Sequence, residues 1–156
     1  MFGTLFCLTA SAGLRSGEIR ALNREQICES HHGLIIDRAV DDLGNIGSLK
    51  KAIAEDSRSR AVIIPEVTMK MVERWLDLMP VTEDFPGLVF PYHDKPITGY
   101  FILSRFKYGL DNLGIDYETR RLTVHCLRYA FIKDEKLCSV GRKRILAINT
   151  QEPFLL

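Results

Sequence analysis

The chain has 156 residues, 46% hydrophobic and 26% charged, with 21 Lys and Arg against 20 Asp and Glu for a formal net charge of +1. That length suits one domain with a sizeable core and excludes two full ones. The even charge balance excludes a strongly basic nucleic-acid module, so any contact with DNA must come from local clustering of cations. No apolar run reaches the ~18 residues of a membrane span. The apolar start, Met1 to Leu14, lacks the basic stretch that a signal peptide would place ahead of Leu5. It reads instead as a buried helix exposed at a chain end.

The four cysteines, Cys7, Cys28, Cys126 and Cys138, show no CxxC spacing. They read as reduced thiols of a cytoplasmic protein. Cys28, His31 and His32 lie close together but fall two ligands short of a zinc site, so no metal and no cofactor is expected.

In chain order, residues 4–12 read as the end of a helix, and Ser16-Gly17-Glu18 opens a second, with Ile19 and Leu22 at i, i+3 spacing. Three short strand candidates follow: Gly33 to Asp37, Ser48 to Ala52, and Arg60 to Ile64, the last ended by Pro65. Asp42, Gly44, Asn45 and Gly47 supply turn chemistry between the first two. The three together predict an antiparallel meander. Helices return after Pro65. Across residues 66–79, Val67, Met71, Trp75 and Leu78 fall on one face. An irregular connection runs from Pro80 to Lys95. Thr98 is then placed to cap a helix from Gly99 to Asn112, with Phe101, Ser104, Phe106 and Leu110 near its buried side, and Leu113-Gly114-Ile115 ends it. Leu122 to Ile132 reads as one more helix, and the remainder as a mixed tail. The fold class is therefore α+β: a mostly helical body with a small three-stranded antiparallel sheet on one side.

Two segments carry chemistry. The first is Thr9-Ala10-Ser11-Ala12-Gly13-Leu14-Arg15-Ser16-Gly17-Glu18-Ile19-Arg20-Ala21-Leu22; the second is Leu122-Thr123-Val124-His125-Cys126-Leu127-Arg128-Tyr129-Ala130-Phe131. The first resembles the T-G-L-R-x-x-E-l-x-x-L segment of tyrosine recombinases, the phage-integrase family, and the second their H-x-L-R-H-x-F segment. Arg60-Ala61-Val62-Ile63-Ile64-Pro65 is similar to the family's R-x-v-x-l-p strand. The resemblance spans roughly residues 4–132, a partial catalytic domain over 1–132, followed by a divergent tail over 133–156. It implies site-specific DNA recombination or integration, with double-stranded DNA as partner, other recombinase protomers as further partners, and no membrane.

The residue types suit that chemistry. Guanidinium is planar, always charged, and grips two phosphate oxygens at once. Two of them aimed at one phosphate stabilise the charge that builds up in a pentavalent transition state. The resemblance implies that Arg15 and Arg128 are this pair and that His125 is a hydrogen-bonding or proton-transferring partner at the same phosphate, a role that suits imidazole. Glu18, at i+3 from Arg15, would fix the arginine from behind. The family also uses a hairpin lysine to protonate the leaving oxygen. Its usual spacing before the strand arginine falls on Ala54, leaving Lys51, or its neighbour Lys50, as the candidate. Arg20, Arg24, Arg120 and Arg121 read as surface residues or nonspecific phosphate contacts.

The resemblance breaks at the nucleophile. The family's tyrosine lies about thirty residues after the second arginine, and that count from Arg128 passes the final residue, Leu156. Tyr92, Tyr100, Tyr108 and Tyr117 stand at positions without family precedent, and Tyr129 occupies a position more often held by histidine. A phosphotyrosyl link cannot form without its tyrosine, so the chain by itself is not expected to turn over. This leaves two explanations: a truncated remnant of a mobile-element or phage integrase, or a short form that uses a partner's tyrosine. A DNA- or recombinase-binding fragment without catalysis is the alternative function.

Overall fold

In the computed structural model, residues 1–49, 59–79, 87–93 and 95–137 are described. The chain opens with helix α1 (Phe2–Ala12), which buries Leu5, Leu8 and Ala12 at helical spacing. Gly13, at φ +60°, ends it in a left-handed cap. Helix α2 (Ser16–Ala21) follows after two residues. Strands β1 (Ile27–Cys28), β2 (Gly33–Ile36), β3 (Arg38–Val40), β4 (Ile46–Ser48) and β5 (Arg60–Ile63) come next. Helix α3 (Glu66–Leu78), the two-residue strands β6 (Pro91–Tyr92) and β7 (Lys95–Pro96), helix α4 (Gly99–Asn112) and helix α5 (His125–Leu137) complete the described chain.

The fold is α+β, and its main sheet has three antiparallel strands in the order β1-β2-β5. This corrects the simple meander. The first and third strand candidates pair directly, Gly33 opposite Ile63 through Ile36 opposite Arg60. The segment expected between them instead pairs through β4 with β3 as a separate hairpin, Val40 opposite Ile46. Asp41 explains the departure: its carboxylate accepts from the backbone N–H groups of Leu43 and Asn45 and closes a turn after β3. Residues 50–58, which include Lys50 to Ala52 of the second candidate strand, lie outside the described residues.

Leu34 and Ile36 of β2, and Val62 and Ile64 at β5, alternate inward. They meet Leu5 and Leu8 of α1, Ile19 and Leu22 around α2, Met69 and Val72 of α3, Phe90, Ile97, and Ile102 of α4 in one core. Trp75 donates from its indole N–H to the Val89 carbonyl at 2.6 Å and stacks on Phe90. Two helix faces differ from expectation. The buried side of α3 is Thr68, Met69 and Val72, while Val67 and Leu78 are exposed. In α4 the buried residues are Ile102 and Phe106, and Ser104 is exposed. The α3 face is turned by roughly one residue, a rotation that short apolar runs leave open, whereas on α4 Phe106 is buried as expected and Phe101 packs against the core. Thr98 caps α4 as expected, accepting from the Phe101 N–H. At the other end Gly114, at φ +65°, lets the Ile115 N–H return to the Leu110 carbonyl. The last described helix begins at His125, not Leu122, and runs to Leu137.

Candidate active site

The turn between α1 and α2 gathers most of the residues singled out in the sequence. Arg15 is the N-cap residue of α2, in extended backbone conformation. Its backbone N–H donates to Glu18 Oε2 at 2.7 Å, and its guanidinium Nη1 donates to Glu18 Oε1 at 3.2 Å. Glu18 sits in the first turn of α2 with a side chain of 0% relative exposure. A carboxylate is retained there because Arg60 reaches it from β5. Arg60 Nη1 and Nη2 donate to Oε1 and Oε2 at 2.8 and 2.7 Å, a fork that matches the carboxylate geometry. Burial alone would raise the Glu18 pKa, but the hydrogen bonds and charges of Arg60 and Arg15 outweigh it and hold the carboxyl below its ordinary value.

Helix α5 closes the turn from the other side. Arg128 donates from Nη1 to the carbonyl of Gly13, two residues before Arg15. Phe131, one turn away on α5, lies against Gly13 so closely that a Cβ there would stand 2.3 Å from its Cδ1. Positive φ and absent Cβ are thus both needed at this one residue. His125, at i−3 from Arg128, opens α5 on the surface with its ring edge-on to Tyr129 at 4.7 Å. Arg15 and Arg128, far apart in sequence, are therefore both anchored at one turn.

The β3–β4 hairpin packs on α2. Gly17 makes the approach possible, since a Cβ would lie 2.7 Å from the Val40 carbonyl oxygen. The hairpin leads toward Lys50 and Lys51, which lie outside the described residues. Arg20 and Arg24 are not surface cations. Arg20 Nε donates to the Ile97 carbonyl at 2.7 Å, and Arg24 Nη2 donates to the Leu76 carbonyl at 2.9 Å, at the C-terminal end of α3. Arg120 and Arg121 are exposed. Cys28 Sγ lies 3.2 Å from His31 Nδ1, but among the described residues no three ligating side chains gather into a metal site.

Arg60 is the residue that sequence reasoning passed over as a mere strand marker. The signal was present: Arg60, Val62 and Ile64 alternate on one side of a strand, and Val62 and Ile64 are buried. A cation on an inward register requires a buried anion.

A helical body with a small antiparallel sheet is a fold that this chain shares with solved tyrosine recombinases, at low sequence identity. The Tn1549 transposon integrase in complex with transposon right-end DNA is 15% identical over 96% of this chain and 50% of its own, with a TM-score of 0.71. The XerA recombinase is 19% identical over 88% of this chain and 43% of its own, at 0.64. The XerH site-specific recombinase bound to difH substrate is 18% identical over 83% of this chain and 34% of its own, at 0.58. The chain spans half or less of the length of these relatives. No family profile and no curated protein matches it. No helix among the described residues is long and apolar enough to cross a membrane.

Proposed function

We propose that the chain carries the phosphate-activating residues of a tyrosine recombinase acting in site-specific DNA recombination or integration, as in mobile elements and phages. Its substrate is the scissile phosphodiester of double-stranded DNA. Arg15 and Arg128 bind the non-bridging phosphate oxygens and stabilise the negative charge that grows in the transition state. His125, on the same face of α5 as Arg128, hydrogen-bonds the same phosphate. Lys51, or Lys50, protonates the leaving oxygen. Glu18 holds Arg15 in place and does not touch substrate.

The observation that carries this reading is the convergence of Arg15 and Arg128 on the Gly13–Arg15 turn, one from a buried carboxylate and the other from a helix packed across it. The covalent step needs a tyrosine. None of Tyr92, Tyr100, Tyr108, Tyr117 and Tyr129 is assigned to it, and the polypeptide alone is expected to bind phosphate without completing strand cleavage.

Thermal unfolding with and without sulfate tests the reading, because an anion that binds the folded state raises the melting temperature. Sulfate is expected to stabilise the wild type, and Arg15→Ala or Arg128→Ala to abolish that gain while leaving a cooperative transition. A cooperative wild-type transition that sulfate does not shift would count against it. Binding of duplex DNA that survives loss of both arginines would favour the non-catalytic DNA-binding reading instead.

A further inference from the structure

The outer face of the main sheet carries a second group of reactive side chains. Leu34, Ile36, Val62 and Ile64 turn to the core, so Gly33, Ile35, Ala61 and Ile63 lie on the opposite face. Here β1 adds Cys28, which pairs with Gly33, and Gly33 pairs in turn with Ile63. A single 3-10 turn, Glu29–His31, joins β1 to β2 and ends at His32 with φ +47°. His31 stands at i+3 from Cys28, a spacing at which such a turn brings two side chains over each other. Its Nδ1 lies 3.2 Å from the Cys28 Sγ, and the Ser30 Oγ lies 2.9 Å from the same nitrogen and 3.6 Å from the sulfur.

A cavity of about 180 Å³ opens beside this thiol, and its walls are almost wholly apolar: Gly33, Ile35, Ala61 and Ile63 line it together with Cys28 and His31. Gly33 keeps it open next to the sulfur. A Cβ there would stand 3.8 Å from the Cys28 Cβ, an ordinary contact, so a side chain would be accepted by the backbone and would fill the space. Ile63 is 44% exposed and His31 is exposed, so the cavity is reached from solvent. An apolar hollow at a nucleophile selects reagents that bury carbon surface on binding. A base within hydrogen-bond reach speeds the attack of the sulfur.

We propose that Cys28 is a covalent modification site for small apolar α,β-unsaturated carbonyl compounds. The sulfur adds to the β-carbon of the bound compound. Its S–H bond breaks, and the proton passes to His31 Nδ1, directly or through the Ser30 hydroxyl. A carbon–sulfur bond forms, the carbon–carbon double bond becomes single, and the α-carbon takes the proton back from the imidazolium. No group leaves, and no oxidant or reductant is needed. The apolar body of the compound lies against Ile35, Ala61 and Ile63. The site is on the sheet face opposite Arg60, which reaches Glu18 from the inner side, so the proposal is independent of the phosphate reading.

The test is labelling of the full, folded chain with limiting N-ethylmaleimide, a small apolar acceptor of this class, followed by peptide mass spectrometry that reads each cysteine separately. Cys7, which is exposed, is the internal standard. Cys28 is expected to react about tenfold faster than Cys7 or more. Iodoacetate, an anionic alkylating reagent, is expected to show no such preference. His31→Asn removes the base and should bring the Cys28 rate down to that of Cys7. Gly33→Val fills the cavity with His31 in place and should do the same. A β-branched residue suits a strand, and an unchanged Cys7 rate with a cooperative thermal transition shows that the fold is kept. Cys28 labelling no faster than Cys7 in the wild type overturns the proposal without recourse to any variant. So does a fast Cys28 that neither folded variant slows, which would be an exposed thiol only. An equal preference of iodoacetate for Cys28 also overturns it, since the cavity would then select nothing. Should the variants not fold, the two reagents on the wild type decide alone.

Discussion

At the scale of single residues, the fate of one buried carboxylate controls the candidate site. Removing Glu18 as Glu18→Ala strands Arg60 as a largely buried cation without its anion, which costs about 3 kcal/mol, measurable by urea unfolding. The pH dependence follows from the direction of the Glu18 shift. Its folded-state pKa lies below the ordinary 4.5. Its contribution to stability is therefore complete above the ordinary value and is lost as pH falls through the depressed folded value. Urea unfolding at a series of pH values below 5 should show wild type losing more stability than Glu18→Gln. Parallel curves would mean that the carboxylate is not held as described. Arg15, Glu18, His125 and Arg128 were singled out because their segments resemble the motifs of one family, and the structure brings Arg15, Glu18 and Arg128 to one turn. The Arg60–Glu18 pair crosses 42 positions. Only the strand's inward register hinted at it, and nothing local named the partner.

Elements supply the positions that these residues need. Gly13 ends α1 in a left-handed cap directly beneath Phe131. Gly13→Ala is expected to destabilise the fold by about 1–2 kcal/mol from backbone strain alone, and by more once the Phe131 ring is displaced. The same substitution should loosen α5 and so weaken sulfate protection, a joint effect that chemical denaturation with and without sulfate would reveal. Thr98→Ala, a helix cap far from the site, should cost about 1 kcal/mol with sulfate protection unchanged. The helices and the cap at Thr98 were legible because propensity, capping and apolar period agree locally. The exposed faces of α3 and α4 were not. Val67 is exposed while Thr68 beside it is buried, a choice that only the tertiary neighbours decide. The sheet order was hidden for a related reason: β3 and β4 close on each other through the Asp41 turn, freeing β2 to pair with β5.

For the molecule as a whole, a net charge of +1 leaves little general attraction for DNA. Affinity for duplex is expected to be weak and to depend on few cations, with a slope of log affinity against log salt shallower than about −4. A steep slope would point to a broad basic surface that this charge balance does not supply. Arg20 and Arg24 are committed to the carbonyls of Ile97 and Leu76, so the proposal concentrates phosphate binding at the α1–α2 turn.

The most direct test of that concentration is a crystal structure of the chain soaked in tungstate, whose anomalous scattering locates the anion without reference to the protein. An anion within hydrogen-bonding distance of the guanidinium groups of both Arg15 and Arg128 is the predicted result. Anions scattered over exposed lysines, with none at the turn between α1 and α2, would contradict the account.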